Sequence, residues 1–203
     1  LLQDSSVDIE AFVRNRLVTR LGRITNTHFT TGTGSSQPNG VITAATTGYT
    51  AANSTSQVTT ILYASLVELV HSIDPAYRGQ NNCSFMMADS SVKKLRQILD
   101  SQNRPIFVPG YDVANNGTQP DRLLGYPVIV NQDVAAMAAS AKSIAFGDLS
   151  YYKIRDVMDI SMFRFTDSAY TKLGQVGFLA WMRTGGNLVD VGGAVKLFVN
   201  AAS

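Results

Sequence analysis

The chain is short of charge, of sulfur and of long apolar runs, and each shortage excludes a class of protein. Charged residues fill 16% of its 203 positions, against roughly 25% in ordinary soluble domains. Ser, Thr, Asn, Gln, Gly and Ala must cover the surface instead. That suits faces occupied by other copies, because charge is depleted in interface cores, although a low-charge monomer has the same composition. The single cysteine, Cys83, excludes an internal disulfide framework, and one Cys with two His cannot build a four-ligand zinc site from those residue types. A reducing compartment is expected. No run of about 18 apolar residues occurs, and Leu1 to Glu10 has neither the basic nor the apolar segment of a secretory signal. The expectation is a soluble, cytoplasmic chain with no membrane partner. The formal net charge of +2 is too small to indicate nucleic-acid binding by bulk electrostatics.

What is present reads as globular. Hydrophobic residues make up 45%, and the length allows one large domain or two modest ones. From Asp8 to about Phe29, the residues Ile9, Phe12, Val13, Leu17, Leu21 and Ile24 fall at helical spacing, with Ser5 or Ser6 available as the cap. Some 22 residues at 1.5 Å each extend about 33 Å, a strut as wide as a small domain. Helical periodicity returns with Val58, Ile61, Leu62, Ser65, Leu66, Leu69, Val70 and Ile73, and Asp74-Pro75 stops it. Ser84 to Ala88 reads as a strand. Asp89-Ser90-Ser91 then caps a helix carrying Val92, Leu95, Ile98 and Leu99.

Between these elements turn residues dominate. Gly32 to Gly40 is too rich in Gly, Pro and Asn for regular structure, Val41-Ile42 follows as a short extended piece, and Thr43 to Gln57 reads as a connector between two units. Pro109 to Pro120 reads as a projecting loop, a type more often functional than idle. Leu123 to Asn131 and Ser143 to Phe146 have the character of buried strands. Longer strands are expected at Tyr151 to Phe165, Val176 to Arg183 and Ala194 to Val199. Helices first and antiparallel strands last predict an α+β fold with two lobes.

The order of these signals resembles the major capsid proteins of tailed bacteriophages, those with the fold named after bacteriophage Hong Kong 97. The landmarks are Leu2 to Glu10 leading into the long helix, Phe29 to Gly34 with Gln37 to Val41, Leu95 to Asp100 leading into Arg104 to Phe107, Leu123 to Val128, and Ala145 to Leu149. The resemblance implies a spine helix and antiparallel strands in a peripheral domain, residues 1–48 and 148–190. It also implies a mixed axial domain, residues 49–147, to which the final strand in 191–203 returns. A tip loop with Pro109, Gly110, Tyr111, Asn115, Asn116 and Gly117 would meet its copies at the symmetry axes. The implied function is structural: self-assembly of hexamers and pentamers into an icosahedral shell around double-stranded DNA. No enzymatic activity and no cofactor are implied. Portal, scaffold and maturation protease are the implied partners, the virion capsid of a phage or prophage the implied location, and the bacterial cytoplasm the site of synthesis.

Members usually carry an N-terminal arm and an extended loop ahead of the spine helix, and neither is recognisable here, so a shortened chain is expected. The covalent crosslink of some members, between Lys and Asn beside a Glu, is not expected, because Gly174 to Arg183 contains none of the three. Arg16, Arg20 and Arg23 share one stripe of the first helix. With a spine helix facing the shell interior, that stripe would meet packaged DNA phosphates or the missing arm, a solvated salt-bridged face being the plainer reading. The Gly32 to Gly40 loop lacks the Gly-Lys-Ser/Thr ending of a nucleotide loop and follows no strand. His28 and His71 show no ligand spacing, Trp181 and Met182 read as core or subunit contact, and no Gly-x-Ser-x-Gly elbow occurs. An encapsulin-like compartment shell is the alternative reading, and a nucleotide-dependent enzyme a more distant one.

Overall fold

The computed structural model describes residues 8–79, 82–99, 121–190 and 193–203. Its first element is the strut, α1 (Ile9–Thr31), whose amino end is capped by Asp8: the carboxylate accepts from the Ala11 N–H at 3.0 Å. Asp8, rather than Ser5 or Ser6, is the cap, three residues before a free amide of the first turn. The helix ends where Gly32 approaches the chain closely. A Cβ there would lie 2.3 Å from the carbonyl oxygens of both His28 and Pro38. The Gly-rich segment folds back as a small hairpin bridged at Thr33 and Asn39.

Val41–Ala44 forms a short helix, α2, not the extended piece expected, because the Ala44 and Ala45 amides find the carbonyls of Gly40 and Val41. The expected connector contains β1 (Thr46–Thr50), whose polar composition hides a strand paired in parallel with β8 (Val195–Val199). The next helix, α3 (Tyr63–His71), starts five residues later than its periodicity suggests. Asp74 then caps α4 (Pro75–Arg78), with proline at the first turn, where its missing N–H costs nothing. β2 (Cys83–Met87) leads to α5 (Asp89–Arg96), in which Asp89 is the first helical residue and Ala88 holds the cap position without a side-chain bond. The stretch read as one strand is two, β3 (Arg122–Leu123) and β4 (Tyr126–Val130). Between them Leu124 and Gly125 both take positive φ, 52° and 86°, as a two-residue hairpin turn of the primed type requires.

β5 (Lys142–Asp148) completes a six-stranded mixed sheet in the order β1-β8-β5-β2-β4-β3. Both faces of its centre are buried, which is why β2 is apolar without alternation. On one face Phe85, Met87, Ile144, Phe146 and Phe198 pack under Leu66, Leu69 and Val70 of α3 and Val92 and Leu95 of α5. On the other, Met86, Ala145, Val195 and Leu197 meet Val41, Ile42, Val134 and Leu188. A separate two-stranded ribbon joins β6 (Tyr152–Phe165) to β7 (Gly177–Leu188) through the short α6 (Ser168–Thr171), and two irregularities interrupt its ladder between Asp156 and Ser161. β7 runs five residues beyond its expected end and so takes in Asn187, whose side-chain oxygen accepts from Asn39 at 3.0 Å.

Candidate assembly surfaces

The strut touches the sheet through a polar clasp near its carboxyl end. Asn26 donates to the side chains of Asn131 (3.0 Å) and Asp133, Thr27 donates to Asp133 at 3.1 Å, and Asn131 donates back to Thr30 at 2.8 Å. The Asp133 N–H closes the loop on the Asn131 side-chain oxygen at 3.1 Å. Every partner lies about a hundred positions away, such as Asn26 and Asn131 at a separation of 105, so no local pattern in the sequence announces it. Toward its amino end the helix lies beside the ribbon, where Arg164 pairs with Glu10 at 2.9 Å.

Arg16, Arg20 and Arg23 stand on one face of α1, lining with Phe12, Val13 and Leu17 an open cavity of about 450 Å³. All three are exposed, and among the described residues none makes an ion pair. The face is solvated, as the plainer reading has it, but without the salt bridges that reading included. The Arg16 guanidinium rests 5.1 Å from the Phe12 ring centroid, held by its attraction for the aromatic face. Phe12, Val18 and Ile24 leave about half of their surface open along the same helix.

The ribbon carries the more telling surface. Cross-strand partners share a face, so Met162 with Ala180 and Arg164 with Phe178 look toward α1, while Phe163 with Leu179 and Ser161 with Trp181 look away. On that outer face Phe163, Leu179 and Trp181 are 47%, 47% and 43% exposed. Their sequence signal was available: Phe178 to Met182 is apolar at both parities, the mark of a strand with two contact faces. Trp181 is therefore exposed and not core.

Tyr77, Tyr152 and Cys83 are ionisable groups whose surroundings hold them in their neutral form. The Tyr77 hydroxyl donates to Asp190, and that bond, with burial, holds its phenol above the ordinary range. Burial pushes the Tyr152 phenol up to about 12, and its hydroxyl donates to the Asn39 carbonyl at 2.9 Å. Burial also raises the Cys83 thiol. His71 Nδ1 lies 3.4 Å from Arg78, and His28 closes the last turn of α1. Among the described residues no group of His, Cys, Asp or Glu could hold a metal ion, and no helix is long and apolar enough to cross a membrane. The expected axial loop, with Pro109, Gly110, Tyr111, Asn115, Asn116 and Gly117, lies outside the described residues.

The model of the phage capsid family matches residues 1–199. The chain belongs to the phage capsid family. No curated protein matches its sequence. Among solved structures, it is similar to the capsid of an empty GTA particle computed with C5 symmetry, at 29% identity and TM-score 0.80, covering 99% of this chain and 69% of the other. The capsid of the native GTA particle gives 29% identity and TM-score 0.83, with 100% and 69% covered. Microbacterium phage Oxtober96 shares the fold at 16% identity and TM-score 0.67, over 97% of this chain and 67% of its own. This phage capsid family member has the Hong Kong 97-type fold and is a structural protein of a capsid shell, so self-association is its working property.

Proposed function

We propose that this capsid protein closes into an icosahedral shell of hexamers and pentamers around double-stranded DNA, as part of a virion, without enzymatic activity of its own. The observation that carries this reading is the outer face of the β6–β7 ribbon. Three large apolar side chains stand half in water on a two-stranded element that is marginal without further packing, which fits an edge completed by neighbours. In this reading residues 1–48 and 148–190 are peripheral, residues 49–147 and 191–203 axial, and the loop at 109–117 meets its copies at the axes. The unpaired stripe Arg16, Arg20 and Arg23 supports a non-specific contact with packaged DNA phosphates. Portal, scaffold and maturation protease would be its partners during assembly in the host cytoplasm.

Electron microscopy of the complete protein tests the reading. Closed particles with five-fold vertices are expected, and a discrete small oligomer would contradict it. Replacing Arg16, Arg20 and Arg23 together by Gln should leave particles intact and lower the DNA retained per particle. Unchanged retention would remove the DNA role.

A further inference from the structure

Among the described residues, the six-stranded sheet is open along part of its β4 edge. β3 is two residues long, and the outermost contact of its pairing with β4 among the described residues is the Asp121 carbonyl, which accepts the Val128 N–H at 2.9 Å. Ile129 and Val130 continue beyond it. The Asn131 N–H donates to the Met87 carbonyl at 2.9 Å, toward β2. Bonding direction alternates along a strand, so Val128 and Val130 turn their backbone groups outward. Among the described residues nothing bonds to the backbone of Val130. Ile129 and Val130 are also 44% and 52% exposed. Sheets usually blunt such an edge with a charge, a proline, a bulge or a cover, and among the described residues these two have none.

Across from this edge stands the strut, and between them lies a cleft of about 820 Å³ walled by Thr19, Gly22 and Arg23. The Asn26–Asn131–Asp133 clasp closes one end, which fixes the width before anything binds. A Cβ on Gly22 would meet nothing within 4 Å. Arg23 makes no ion pair among the described residues, while Asp133 is engaged by Asn26 and Thr27. The cleft therefore presents a free strand edge, aliphatic side chains and one unpaired positive charge, which together suit an extended aliphatic segment carrying a carboxylate. The chain contains such a stretch at 156–160, Asp-Val-Met-Asp-Ile. It lies on β6, which among the described residues pairs only with β7 and loses its regular ladder there, and Val157, Met158 and Ile160 are exposed.

We infer that the cleft between α1 and β4 receives the 156–160 stretch of a second copy, which adds to the open edge of β4 as a further strand. This rests on the shell reading, since only a protein packed against its own copies presents the stretch at every such edge. Paired cysteines test it: Val130→Cys with Val157→Cys in the complete protein, Cys83 being fully buried, read on a non-reducing gel against each single variant. Should that pair fail to melt like the wild type, Ile129→Cys with Met158→Cys takes its place. Oxidation should convert the double variant, and neither single variant, into dimers and higher multiples. Shells that form with no crosslink from either pair overturn the inference and leave the shell reading standing. Crosslinks without shells support the edge pairing and remove the shell reading, and loss of both removes both. A reconstruction with the molecule's own chain lying on the β4 edge also overturns it.

Discussion

The sheet and the ribbon are built from similarly apolar residues and use them in opposite ways. In the sheet, Phe85 and Phe146 pack at a tilt with centroids 4.5 Å apart, Tyr126 meets Phe146 edge-on at 5.0 Å, and both phenylalanines are fully buried. In the ribbon, Phe163 and Leu179 face each other across the strands and remain half open to water. The difference teaches where folding free energy is gained and where association free energy is held back. The sheet completes its core within one chain, with helices or loops over both faces. The ribbon and the amino-terminal part of the strut do not, and in the proposed shell a neighbouring copy supplies that step.

The sharpest way to break the comparison is at the sheet. Phe146→Ala removes a ring packed on both sides and should cost about 3–5 kcal/mol in denaturant unfolding of the unassembled chain. A loss no larger than that of a ribbon substitution would end the distinction. Next in size is the clasp. Asp133→Ala strips a charged acceptor from Asn26 and Thr27 and should cost about 1–2 kcal/mol. Amide exchange should quicken in the last turns of α1, while β2 and β5 keep their protection. The smallest effect belongs to the ribbon: Leu179→Ser should shift unfolding of the unassembled chain by less than about 1 kcal/mol, yet lower the yield of particles by electron microscopy.

The same contrast explains what was legible in the sequence. The strut, β2, β5 and both long strands were readable because each carries its own period or apolar run, as in Cys83–Met87, where every residue is buried. β1 was missed because Thr46-Thr47-Gly48-Tyr49-Thr50 has no apolar signal and is a strand only through its pairing with β8. The turn at Leu124-Gly125 was hidden by the apolar residues on either side, although Gly125 was its one clue. The three arginines were found from helical spacing alone. The clasp was not, since Asn26 and Asp133 are polar residues with meaning only once a distant loop is brought beside the helix. The outer ribbon face lay between these cases: Trp181 was read as core or subunit contact, and that Phe163 and Leu179 share its face became visible only with the cross-strand register.

Amide hydrogen exchange, compared between unassembled chain and closed particles, tests this division most directly. The account predicts strong protection of β2, β5 and β8 in both states, with β6, β7 and the amino-terminal turns of α1 exchanging fast in the free chain and slowly in the particle. A ribbon as well protected alone as in the shell would contradict it.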